Sequence, residues 1–175
     1  FTLIYDDDGL VTSGITDGTS AGWNTSAAVF YNGAGDAAWT NATTDIAQFG
    51  GGSSGTAGTL TVGTVSTNGI TFEAPFAGSY TLTGGSIVLG GTTPTLTADA
   101  NGAIATLLTG SAGFTKAGAG TLTLTGNNSG LTGTINLNAG ILSVVDTTTT
   151  SGTLIKALGN SSNALKLNGG TLQVL

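Results

Sequence analysis

The chain has 175 residues, 31 of them glycine; only 7% are charged, and three lysines stand against nine acids for a net charge of −6. That balance denies nucleic acid its basic footprint and disfavours anionic membranes, while 39% hydrophobic residues exclude a disordered polyelectrolyte. The absence of cysteine and histidine removes disulfides, thiolate metal sites, thiol nucleophiles and the Ser/His/Asp triad.

In chain order, residues 1–58 read as an N-terminal cap. They hold seven aromatics (Phe1, Tyr5, Trp23, Phe30, Tyr31, Trp39 and Phe49) together with all six aspartates that precede residue 59. Irregular strands are expected at 1–5, 27–31 and 44–49, where bulky rings are suited to closing the open end of a stack of strands. Asp6-Asp7-Asp8-Gly9 is the densest acidic run. It has two readings, a solvated turn or a calcium loop; the first is favoured, because EF-hand spacing and nonapeptide calcium repeats are both missing. Trp23, Tyr31 and Trp39 likewise have two readings, packing in the cap or a stacking platform for sugars, with packing favoured. The Gly/Ser/Thr/Ala stretch at 50–58 is read as a loop inside one domain rather than a linker.

From Thr59 short strands follow at 59–62, 69–72, 80–83, 86–89, 94–98, 103–108, 113–116, 121–125, 133–137, 141–145, 153–156, 164–167 and 171–174. Leucines, isoleucines and valines alternate in them with threonine, serine and asparagine, so apolar side chains share one face. A strand–corner–strand unit recurs: Leu137-Asn-Ala-Gly-Ile-Leu-Ser-Val144 matches Leu167-Asn-Gly-Gly-Thr-Leu-Gln-Val174, and Leu82-Thr-Gly-Gly-Ser-Ile-Val-Leu89 reads as a third copy. Such units cannot bury a core alone and signify a solenoid, here of roughly three strands per coil and about four coils. The expected fold is therefore all-β, a β-helix over 59–175 with the aromatic-rich cap over 1–58, forming one continuous domain. Leu122, Leu124, Ile135, Leu137, Leu142, Val144, Leu165, Leu167, Leu172 and Val174 should point inward. A β-sandwich, in which the Asn-Gly-Gly and Asn-Ala-Gly corners are hairpin turns, is the alternative. Asn138 and Asn168 occupy equivalent corners, either as an amide ladder or, the favoured reading, as residues accepting left-handed geometry.

Phe114-Thr-Lys-Ala-Gly-Ala-Gly-Thr-Leu-Thr-Leu-Thr-Gly-Asn-Asn, followed by Gly133-Thr-Ile-Asn-Leu-Asn-Ala-Gly-Ile-Leu, resembles the autotransporter-associated β-strand repeat of bacterial surface passengers. The resemblance is good over residues 113–144 and weaker over 80–89 and 154–175. It implies a secreted β-helix at the bacterial cell surface and no single activity.

No catalytic, cofactor-binding or metal residues are assigned, and no cofactor is expected. Glu73, Asp99 and Asp146 are scattered singly, and arginine is absent, which weighs against a polysaccharide hydrolase or lyase. Glycine runs such as Gly50-Gly51-Gly52 lack the lysine and the helix of a phosphate loop. The expected function is that of a non-enzymatic extracellular structural protein, with a glycan- or host-binding adhesin as the alternative and a polysaccharide-acting enzyme third. The expected partner is a second copy, joined head to tail through Phe1-Thr-Leu-Ile-Tyr5 and Thr171-Leu-Gln-Val-Leu175; glycans are the second class of partner, and neither nucleic acid nor membrane insertion is expected.

Overall fold

The computed structural model describes residues 1–8, 10, 14–145 and 156–175; Asp146 and the first residues of the strand expected at 153–156 lie outside them. No helix occurs among the described residues. The strands are β1 (Thr2–Tyr5), β2 (Thr16–Asp17), β3 (Ala28–Tyr31), β4 (Asp36–Ala38), β5 (Ile46–Phe49), β6 (Ser54–Gly55), β7 (Thr59–Thr67), β8 (Gly69–Phe72) and β9 (Thr81–Leu89). They continue with β10 (Thr95–Ala98), β11 (Gly102–Ile104), β12 (Leu107–Thr109), β13 (Phe114–Ala117), β14 (Thr121–Leu124), β15 (Ile135–Leu137), β16 (Ile141–Val144), β17 (Leu165–Leu167) and β18 (Thr171–Val174).

The architecture is a β-solenoid. Its first sheet runs β17-β15-β13-β10-β8-β5-β1-β3-β4 and its second β12-β9-β11-β14-β16-β18, with β7 beside β9. Every pair from β17 to β1 is parallel, as is every pair in the second sheet. The register decides against the sandwich. Ile135 and Leu137 lie opposite Leu165 and Leu167, and Leu142 and Val144 opposite Leu172 and Val174. Those partners lie a coil away rather than across a corner, so the corners are not hairpin turns.

Alternation places one residue of each strand on an inward column. In the first sheet this column is Leu3–Ala47–Ile70–Leu96–Lys116–Leu137–Leu167. In the second it is Leu60–Leu82–Ile104–Leu124–Val144–Val174. Each leucine buried in such a column contributes about 1.5–3 kcal/mol. Leu122, Leu124, Ile135, Leu137, Leu142 and Val144 are buried as expected. The last rung departs from expectation: Leu167 and Val174 are each 60% exposed and Leu165 and Leu172 are only half-buried. Among the described strands, β17 pairs with β15 alone and β18 with β16 alone, so these residues have a neighbouring rung on one side.

Three further readings are corrected. The unit Leu82–Leu89 is a corner of another kind. Leu137–Val144 turns from the first sheet into the second, whereas β9 passes through Gly84 and Gly85 within the second sheet, Leu82 packing on Leu60 and Ile87 on Val65. A side chain at Gly85 would collide with the Gly63 carbonyl beneath it, so glycine is required where the corners stack. Second, Asn138 and Asn168 do not adopt positive φ; Gly140 and Gly169 do, and Asn168 Nδ2 donates to Asn138 Oδ1 at 3.0 Å, a step of an amide ladder. Third, Phe1-Thr-Leu-Ile-Tyr5 is not an open edge. β1 has β5 on one side, parallel, and β3 on the other, antiparallel, so the edge of the first sheet at the N-terminal end is β4. The parallel stack also runs through residue 58, since β1 and β5 belong to it.

Candidate functional site

The N-terminal end, the head, is the chemically densest part of the molecule. Antiparallel β3 and β4 lie across the end of the parallel stack, and an aromatic cluster fills the space behind them. Trp23 is fully buried and meets Trp39 edge-on at 5.2 Å and Phe49 at 5.3 Å; Phe30 lies 4.9 Å from Trp39. Trp39 Nε1 donates to the Ser66 carbonyl at 2.9 Å, which ties the cluster to the solenoid. With both indoles buried, Trp23 and Trp39 offer no sugar platform, and Tyr31 stands half-buried on its own.

Five of the six head aspartates accept hydrogen bonds within the head; both carboxylate oxygens of Asp36 are buried without a partner. Asp7 accepts from the Tyr5 hydroxyl at 2.6 Å and from the Ser20 amide at 2.7 Å. Asp6 Oδ1 accepts from the Thr16 amide at 3.0 Å, and Asp8 from the Thr16 hydroxyl and the Leu10 amide. Asp17, almost fully buried, accepts from the Phe76 amide at 2.7 Å and from the Tyr80 hydroxyl. Burial above all, and then the neighbouring carboxylates, hold the Tyr5 and Tyr80 phenols well above their ordinary range. Among the described residues no group of three or more acidic side chains is arranged to hold a metal ion. The Asp6-Asp7-Asp8 run therefore ties β1 to the chain around β2.

Along the solenoid the acids stay apart, and one lysine is a surprise. Lys116 is wholly buried in the inward column between Leu96 and Leu137. Its ammonium donates to the carbonyls of Ala117 (2.7 Å), Gly118 (2.9 Å) and Ala139 (3.1 Å), so it bridges the corners of two coils. Burial lowers its pKa, and Asp99 opposes the shift only in part. The signal was present in the sequence: Lys116 shares the parity of Phe114 in one strand, and that parity points inward. Asn128, also fully buried, accepts from the Leu108 amide at 2.8 Å and donates to the Ala157 carbonyl at 2.7 Å, joining three rungs. At the C-terminal end, the tail, an apolar cavity of about 420 Å³ opens among Ile135, Val144, Leu158, Leu165 and Val174. It lies between the last two described coils; Lys156 and Ser161 also line it, and none of its lining residues is acidic.

Residues 114–144, the turn of the solenoid from β13 to β16, match the family model of the passenger-associated-transport-repeat. The chain carries autotransporter-associated β-strand repeats. The adhesin BmaC autotransporter of Brucella suis biovar 1 (strain 1330) is 40% identical over 161 residues, which cover 87% of this chain and 4% of that protein. The chain thus spans a small fraction of its relative's length. No solved structure matches it. The passenger repeat coincides with the most regular part of the solenoid, where Leu122, Leu124, Ile135, Leu137, Leu142 and Val144 form its apolar columns. Lys116 is the one charged residue in the matched segment.

Proposed function

We propose that this chain is a non-enzymatic segment of a surface-exposed or secreted passenger, serving as a rigid stalk. The observation that carries the reading is the unbroken parallel stack from β1 to β17, whose inward columns use the side chains for packing. A stalk needs regular coils and a closed head, and the buried aromatic rings of the head, with five of its six aspartates, pack and hydrogen-bond to build one. The relative's description as an adhesin supports a second reading, in which the same coils bear an adhesive surface. Self-association of stalks end to end remains part of the proposal, with the β4 edge replacing Phe1-Thr-Leu-Ile-Tyr5 at the head and Thr171-Leu-Gln-Val-Leu175 at the tail. It gains little from charge, because five of the head's six aspartates accept hydrogen bonds within the head.

Three measurements on the purified chain test this. Incubation with neutral and acidic polysaccharides, with and without calcium, should yield no product; turnover abolished by one Asp or Glu substitution overturns the non-enzymatic reading. Light scattering with electron microscopy should show rods that lengthen with concentration; a monodisperse monomer removes the self-association. Saturable glycan binding lost on changing outward threonines such as Thr97, but kept in buried-site variants that still fold, favours the adhesin. Trp23→Ala is unsuitable as that probe, because Trp23 is core.

A further inference from the structure

An asparagine followed by glycine carries chemistry of its own. The glycine nitrogen can close on the side-chain carbonyl before it, with no Cβ in the way. Four such pairs occur, at 32–33, 68–69, 101–102 and 168–169, and the fold treats them differently. In Asn68-Gly69 the glycine is buried between β5 and β10, and its amide donates to Thr67 Oγ1 at 3.2 Å. In Asn101-Gly102 the glycine is buried in β11, with the Phe72 ring where a side chain would stand. Asn168-Gly169 is exposed, but Asn168 Nδ2 donates to Asn138 Oδ1, and among the described residues no amide donates to Asn168 Oδ1. Asn32-Gly33 stands apart. It forms the tip of the β3–β4 hairpin, where Asn32, Gly33 and Ala34 are all exposed. Asn32 Oδ1 accepts from two backbone amides, Ala34 at 2.9 Å and Gly35 at 3.1 Å. The Asn32 amide donates to the Gly35 carbonyl and closes the loop. Gly33 has a φ of 93°, and a side chain there would meet nothing within 4 Å, so the loop has room to rearrange. Among the described residues neither the Gly33 amide nor Asn32 Nδ2 has a partner. Two amide donors on one carbonyl oxygen are what stabilises negative charge developing there.

We propose that Asn32-Gly33 is a self-modifying site, where the hairpin loop promotes conversion of the asparagine to an aspartyl or isoaspartyl residue. The Gly33 nitrogen attacks Asn32 Cγ and loses its proton to solvent. Charge gathers on Oδ1, where the Ala34 and Gly35 amides receive it. The intermediate then expels Nδ2, which takes a proton from water and leaves as ammonia, and a cyclic imide remains. Water adds to either carbonyl of that imide. Opening at Cγ gives the aspartyl chain, and opening at the backbone carbonyl gives the isoaspartyl chain. Water has replaced ammonia overall, with no change of oxidation state. The consequence falls on β4, the sheet edge at the head. Both products add a carboxylate at the hairpin tip. The isoaspartyl link also lengthens the backbone inside the loop that sets Tyr31 opposite Asp36.

The test is to age the purified chain in mildly alkaline buffer, with and without denaturing urea, and to follow the four sites by peptide mass spectrometry, resolving isoaspartyl peptides by chromatography. In the folded chain position 32 should convert several-fold faster than position 168, while positions 68 and 101 stay essentially unconverted. Urea should bring the four rates together, because each asparagine precedes glycine and only the fold distinguishes them. Ala34→Pro removes one donor to Asn32 Oδ1; it should slow position 32 several-fold and leave position 168 unchanged. Position 168 converting as fast as position 32 in the folded chain, the same ranking in urea, or a rate at position 32 that a folded Ala34→Pro chain keeps, overturns the proposal. Should Ala34→Pro fail to fold, the ranking of the parent chain in the two buffers decides.

Discussion

The head and the tail bound the same parallel stack, yet they end differently. At the head the chain abandons parallel stacking, lays β3 and β4 antiparallel across the last rung and plugs the space with Trp23, Phe30, Trp39 and Phe49. At the tail β17 and β18 keep the register of the repeat to the last described residues, and their apolar side chains are half-exposed or exposed. The comparison separates two things that a solenoid needs. Columns of leucine supply cohesion between neighbouring coils, and they need a neighbour on each side. Closure needs a different device, because it must satisfy backbone edges and cover core side chains at once.

The largest expected effect tests that device. Trp23→Ala removes an indole from the centre of the plug and should cost about 3–5 kcal/mol, read as a lowered denaturation midpoint together with loss of exchange protection in β1 and β3. A head that keeps its protection would mean that the plug is not what closes it. Next comes a matched pair at one repeat position. Leu137→Ala should cost about 2–5 kcal/mol, whereas Leu167→Ala, at a site 60% exposed, should fall within about 0.5 kcal/mol of the parent. Equal costs in chemical denaturation would erase the distinction between inner and terminal rungs. Smaller again is Asn128→Ala, which leaves the Leu108 amide and the Ala157 carbonyl without their partner and should cost about 1–3 kcal/mol. The smallest effect concerns Lys116. Its folded value is lowered, so stability rises as pH climbs from that value towards the ordinary lysine range. Lys116→Met should lack this alkaline rise in melting curves.

Much of the solenoid was legible because the period of two is local. Leu122 and Leu124 alternate with threonine, and the corner after Leu137 repeats after Leu167, so neighbouring residues alone announce strand, face and coil. The head was legible only in kind. Its aromatics mark a cap, but the contact of Trp23 with Trp39, or of Asp17 with Phe76 and Tyr80, joins residues far apart in the chain and leaves no periodic trace. Asp6-Asp7-Asp8 reads as a charged surface turn because sequence reveals charge and hides donors; the amides of Thr16 and Ser20 arrive only with the fold. Lys116 was missed for the opposite reason, since its inward parity was visible while the carbonyls that satisfy it lie in the corners of two coils.

The central claim is the parallel stacking of one coil on the next, and the absence of cysteine makes it directly testable by pairwise cross-linking. Asn136 and Lys166 lie opposite one another on adjacent coils, with outward side chains. A parallel pair of strands spaced about 4.8 Å apart falls within the Cα separation of about 4.4–6.8 Å that a disulfide spans. Oxidation of a chain carrying Asn136→Cys and Lys166→Cys should give an intramolecular disulfide in nearly every molecule, while Lys166→Cys with Gln173→Cys should give none. The reverse outcome, with Lys166 and Gln173 joined across a hairpin and Asn136 and Lys166 left free, would contradict the solenoid and everything built on it.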